Sequence, residues 1–248
     1  MPFRVRAFAL HLLGSSTALV LVLGGLYLGW YRWPGWYLAN VAVVVATMAG
    51  VDVVLGPLLT LLIANPRKPR GELARDIGVI ILVQFAALAY ATMTLWHGRP
   101  IIYAYSQDRI ELVRASDIPA SELALGIERN PDLTPRWYST PRWVSAQLPD
   151  DPAVANEIMQ SALQGGADVI AMPRYYRPWD TGVASLRKHL GTVDPLTTLG
   201  RADKQRLKKR LSDAGFAPDN AATILVTGRG DPLIAVVDAA TGQVVAIP

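Results

Sequence analysis

The chain has 248 residues, 24 Lys and Arg against 20 Asp and Glu, and no cysteine. The missing thiol excludes a disulfide framework, cysteine nucleophiles and thiolate metal sites. Only 7 basic and 3 acidic residues precede residue 97, so the whole net charge of +4 belongs to that apolar stretch and speaks for membrane topology, not nucleic-acid binding.

Three runs are long enough to span a bilayer, which takes about 20 mostly apolar residues. Spanning helices are expected over about 7–31, 37–64 and 77–96. The first carries no charge and is interrupted only by His11, Ser15, Ser16 and Thr17. Arg4 and Arg6 would suit a signal peptide, but the apolar run is too long and no small-residue cleavage site follows, so an uncleaved helix is the reading. Gly25 and Gly29 have a spacing that permits close helix packing.

The second run holds Asp52, its sole carboxylate. Such a group near the midplane costs at least about 2.5–3.5 kcal/mol on insertion scales and needs a reason to be there. Gly56 and Pro57 follow, and Pro57 is expected to free a backbone carbonyl near Val53 and leave the stretch kinked and open to a partner. At a rise of about 1.5 Å per residue, Asp52 lies about 18 Å from the helix end at Ala64. Thr17 and Tyr90 reach a similar level, with Ser15, Ser16 and Gln84 lower, and no Lys or Arg lies at that depth. Asp52 is therefore either protonated and hydrogen-bonded within the chain, or paired with a charge from another protein. Both readings stand at this point.

Lys and Arg flank the runs unevenly. Arg4, Arg6, Arg67, Lys68, Arg70 and Arg75 fall on one side, Arg32 and Arg99 on the other. The N-terminus and the loop Asn65, Pro66, Arg67, Lys68, Pro69, Arg70, continuing to Asp76, are expected in the cytoplasm, with the C-terminal domain outside. Trp30, Tyr31, Trp33, Trp36 and Tyr37 suit the outer interface.

Residues 97–248 read as a small α+β domain with a mostly antiparallel sheet. Strands are expected at Ile101–Tyr105 and Arg109–Arg114, then an irregular stretch from Asn130 to Pro149. A helix follows, opened by Asp150-Asp151-Pro152 and stopped by Gly165-Gly166. Met172–Asp180 reads as a loop, Leu186–Leu190 as a short helix and Ala202–Ala214 as a basic amphipathic helix with a solvated face. Ala222–Thr227, Leu233–Asp238 and Gln243–Ile247 read as strands, the last two joined by a hairpin ending at Gly242.

No catalytic motif is present, and His11, His97 and His189 are too scattered to suggest a metal site. The expectation is a protein that is not an enzyme and takes no cofactor or metal. Arg229-Gly230-Asp231 reads as a turn between strands.

The segment Gly50-Val51-Asp52-Val53-Val54-Leu55-Gly56-Pro57-Leu58-Leu59-Thr60-Leu61, followed by Asn65-Pro66-Arg67-Lys68-Pro69-Arg70, resembles the hallmark of the type IV pilin accessory proteins, the TfpX/TfpZ family. Arg6–Leu13, Asp76–Tyr90 and Val237–Gly242 are similar too. The resemblance implies a multi-pass protein of the Gram-negative inner membrane, chaperone-like, whose partners are a cognate major pilin, membrane lipid and the pilus assembly machinery. A pilin stored in the membrane is a single apolar helix with polar groups at its N-terminus. Asp52, Gly56, Pro57, Gln84 and Tyr90 are the candidate contacts for it. The alternatives are a membrane-anchored sensor whose outer domain binds a ligand and signals through a partner, and a membrane enzyme or small transporter that uses Asp52 within an oligomer.

Overall fold

A computed structural model of the chain describes residues 2–188, 190, 205 and 221–247. It divides into two compact units, one of Met1–Trp36 and Asn40–Gly98, the other of Tyr37–Ala39 and Arg99–Pro248.

The first unit contains three helices long and apolar enough to cross a membrane, Phe3–Tyr31, Ala42–Ile63 and Arg70–His97. Helix α1 (Phe3–Leu26) runs into a π-helical segment, Tyr27–Tyr31. A single turn, α2 (Gly35–Leu38), follows. The second span consists of α3 (Ala42–Ala49), a π segment (Gly50–Leu55) and α4 (Gly56–Ile63). The third is α5 (Arg70–His97). The second span starts at residue 42, not 37, because Asn40 takes a left-handed backbone (φ 54°) that ends the preceding turn. The third starts at Arg70, not 77: Pro69 precedes its first turn, and Lys68 ties down its polar start through Asp76 (2.8 Å) and Glu72 (3.4 Å). Hydropathy marks only the apolar part of such a helix. Leu21, Val43, Leu62 and Phe85 are each between 68% and 73% exposed, a surface that water would not tolerate and lipid does. Tyr31 donates to the Leu95 carbonyl at 2.7 Å, and Trp30 meets Trp96 edge-on.

The second unit is built on a seven-stranded sheet: β1 (Pro100–Ser106), β2 (Arg109–Arg114), β3 (Arg142–Ala146), β4 (Tyr176–Pro178), β5 (Ala221–Thr227), β6 (Leu233–Asp238) and β7 (Val244–Ala246). Their spatial order is β4-β3-β1-β2-β5-β6-β7. The sheet is mixed. The β1–β2 hairpin is antiparallel, and so are β3–β4, β5–β6 and β6–β7, but the joins β1–β3 and β2–β5 on either side of the hairpin are parallel. β1 is buried along its whole length because both faces are covered. On one face Ile102, Ala104, Val144 and Val113 pack with Ile158, Val169 and Tyr176. On the other, Tyr103 stacks on Trp143 at 4.5 Å, and Trp179 closes edge-on against Trp143 and Tyr105.

Three expectations change here. The stretch taken as irregular contains β3, one strand in from the β4 edge of the sheet. Helix α6 (Ala120–Arg129) lies where nothing regular was expected. Met172–Asp180 is not one loop: it holds a 3-10 turn (Pro173–Tyr175) and β4, and the short helix begins at Trp179 and runs as α8 to Lys188. By contrast α7 (Pro152–Leu163) starts as expected, with the Asp151 side chain accepting from Ala153 N–H, and the final hairpin turns at Gly242 with φ 69°. The basic helix expected over Ala202–Ala214 lies, Gln205 excepted, outside the described residues.

Beyond β2, Asp117 folds back on Arg114. Its carboxylate accepts the Arg114 N–H at 2.9 Å and Nε at 3.0 Å, and pairs with the same guanidinium through Nη2. Burial pushes this carboxyl up, but the Arg114 bonds outweigh it and hold the group below its ordinary value of 3.8. A depressed folded-state value contributes stability that is present above the unfolded value and lost as pH falls through the folded one. Denaturant midpoints of the second unit, followed by tryptophan fluorescence, are therefore expected to fall as the pH drops below about 4, and to fall less in Asp117→Asn.

Candidate functional site

The three-helix unit holds a buried polar cluster whose origin is Pro57. Proline has no N–H and its ring crowds the carbonyl four residues back. The chain answers with the π segment Gly50–Leu55, in which the Gly56 N–H bonds to Val51 O, five residues back. In that register the acceptor Pro57 leaves unfilled is Asp52 O, not the Val53 carbonyl expected from an α-helix. Gln84 of α5 fills it. Its Nε2 donates to Asp52 O and to Val51 O, both at 3.3 Å. The freed carbonyl is thus met inside the chain and is not open to a partner.

Gln84 comes this close because residue 56 is glycine. A Cβ built there would overlap the Gln84 amide. Since Nε2 is donating, Oε1 is the accepting end of the amide. It faces His11 Nε2 at 2.6 Å, so that nitrogen carries a proton. His11 Nδ1, at 2.5 Å from Thr60 Oγ1, then accepts in the neutral ring. The hydrogen bonds run in one direction, from Thr60 through His11 and Gln84 to the carbonyls of the π segment. Thr60 and Gln84 are both buried.

Asp52 stands beside this chain of bonds and is not fully satisfied by it. The residue is 3% exposed, yet its Oδ2 has no hydrogen-bond partner among the described residues. It lines a cavity of about 550 Å³ with His11, Thr60, Gln84 and apolar residues of α1 and α5. The hydroxyls expected to meet it are engaged elsewhere: Ser15 donates to Leu12 O and Thr17 to Leu13 O, within their own helix. Tyr90, placed by depth at the level of Asp52, points away and is 76% exposed. Gly56 and Pro57 are buried in the cluster.

His11 is the member that sequence reasoning passed over. A signal was available: it is the sole basic side chain in the apolar run 7–31, and polar groups in hydrocarbon must find one another. The basic loop is a tight turn, with Lys68 N–H donating to Asn65 O and Arg67 N–H to Asn65 Oδ1, both at 3.1 Å. Pro66 and Pro69 bracket it, Arg67 and Arg70 are exposed, and the hydrogen bond to Asp76 pushes the Lys68 ammonium above its ordinary range. His189 lies outside the described residues.

No family model matches the chain, and no solved structure matches it. Three proteins of Dichelobacter nodosus are similar in sequence. A fimbrial assembly protein of serogroup I is 31% identical over 121 residues, 49% of this chain, and the matched stretch spans only 47% of that relative. A fimbrial assembly protein of serogroups C1 and C2 is 30% identical over 121 residues, again 49% of this chain but 92% of the relative. One of serogroup E1 is 23% identical over 241 residues, covering 95% of this chain and 91% of the relative.

Proposed function

This chain belongs to the family of fimbrial assembly proteins, and we propose that it is a membrane-embedded, chaperone-like accessory factor that binds a membrane-held pilin and promotes its assembly or display. The resemblance to the type IV pilin accessory proteins of the TfpX/TfpZ kind implies such an accessory, chaperone-like role. It acts by holding a partner, not by making or breaking bonds. The three apolar helices sit in the inner membrane. The uneven Lys and Arg support a cytoplasmic N-terminus and 64–69 turn, with the C-terminal domain on the far side.

The observation that carries the reading is the unpartnered oxygen of Asp52. A buried polar atom without a partner costs about 1–3 kcal/mol, more for a charged group, and persists where something outside the fold supplies the partner. The polar N-terminal groups of a pilin helix are of the kind that would. Asp52 and Gln84 line the contact region, and Gly56 and Pro57, buried behind them, shape it.

The test is a detergent pull-down of tagged protein from its native host, with mass spectrometry of what accompanies it. Pilin is expected with the wild type and at least tenfold less with Asp52→Asn, at unchanged yield and elution volume of the tagged chain. Equal recovery from both proteins would remove Asp52 from the contact. A wild type that carries no pilin would overturn the binding role.

A further inference from the structure

The cavity beside Asp52 has a floor and two walls. The second span supplies the floor, with Asp52. α1 contributes Leu10, Gly14 and Ala18 to one wall, and α5 contributes Ile81 and Phe85 to the other. Both helices pack on the second span and have little contact with each other. The space between them is therefore a groove that opens sideways.

We propose that a fourth transmembrane helix, from a protein other than this one, enters the groove sideways between α1 and α5 and gives one hydrogen-bond donor to Asp52 Oδ2. The proposal rests on the reading that the chain binds a membrane-held partner, and it names the door and the chemistry of contact. Depth selects a helix over a lipid. Asp52 is eleven residues before Ile63, about 17 Å at the helical rise, so a headgroup donor at the interface of a core about 30 Å thick does not reach it. The α1 wall is low at Gly14 and Ala18, and small residues let two helix backbones approach closely in lipid. An added Cβ at Gly14 meets nothing within 4 Å. A single oxygen is left to satisfy, because Gln84 already covers the backbone carbonyls. Seven polar side chains in the spans are already engaged: Thr17, Thr47, Thr92 and Thr94 each donate to a carbonyl of their own helix, and His11, Thr60 and Gln84 bond to one another. A second copy offers none of these seven to Asp52, and the membrane-held partner of the reading above supplies the donor from a different protein.

The test places the photo-crosslinking amino acid p-benzoylphenylalanine in the native host at Phe85, inside the groove, or at Val83, on the same helix outside it. Each is combined with Gly14→Leu or Gly25→Leu. Both glycines have open space for a side chain, so neither change crowds the fold, but only Gly14 lines the groove. The expected result is an adduct with pilin at Phe85 and none at Val83, reduced at least tenfold by Gly14→Leu and unaltered by Gly25→Leu. Equal adducts at both positions, indifference to Gly14→Leu, or an adduct at Phe85 with lipid or a second copy alone would overturn the sideways entry. If pilin still co-purifies in full with Gly14→Leu, the accessory role survives and the groove does not. If the wild type neither crosslinks nor carries pilin, both fall.

Discussion

Gly56→Val is expected to loosen the packing of the three apolar helices, with a loss of about 2–4 kcal/mol, summed from overpacking and from unpaired buried groups. The new side chain would occupy the place of the Gln84 amide. Gln84 would have to withdraw, leaving Asp52 O without its donor and His11 Nε2 without its acceptor. Both groups, the first on a buried residue and the second on a half-buried one, would then be left without a partner. Titration with dodecyl sulfate in mixed micelles, followed by circular dichroism, measures the loss. The reasoning also fixes the outcome of a pair. Gln84→Ala alone gives up the same hydrogen bonds but makes room, so Gly56→Val in that background should cost much less than by itself. Additive losses would show that the clash is not with Gln84.

The second large effect is expected at Leu38. By sequence it opens the second apolar run, where a lipid-facing leucine shortened to alanine changes little. In the structure it belongs to the second unit and is 0% exposed. Its carbonyl accepts the N–H groups of Arg229 (2.7 Å) and Gly230 (2.9 Å) in the turn between β5 and β6, and a Cβ on Gly228 would collide with it. Leu38→Ala is expected to destabilise the second unit by about 2–5 kcal/mol, the range for a buried leucine. Leu62→Ala, at a site 71% exposed on the second span, should stay within about 0.5 kcal/mol. Denaturation followed by tryptophan fluorescence separates the two, and equal effects would return Leu38 to the membrane.

What the chain discloses on reading depends on how local the signal is. The β1–β2 hairpin, α7 with its Asp151 cap and the closing hairpin at Gly242 rest on neighbours a few residues apart, and each falls where the pattern puts it. β3 does not, because its partner is β1, some forty residues earlier, joined in parallel across α6. α6 is hidden by Gly126, which reads as a weak point in a helix. Its lack of a side chain instead lets Thr134 and Pro173 approach. In the three-helix unit, polarity alone singles out Asp52 and Gln84. Their arrangement does not follow from a straight-helix depth scale. The π segment changes which carbonyl is orphaned, His11 joins the cluster with Gln84 and Thr60, and Tyr90 turns to the outside.

The strap at Leu38 also sets an order of events during biosynthesis. Residues 37–39 leave the ribosome before the second span, while the amides that bond Leu38 are made only after β5. The second unit therefore cannot close as a continuous stretch of nascent chain. Its earliest piece waits for nearly its latest. A fragment beginning at Arg99 would lack that piece and leave two backbone amides without their acceptor.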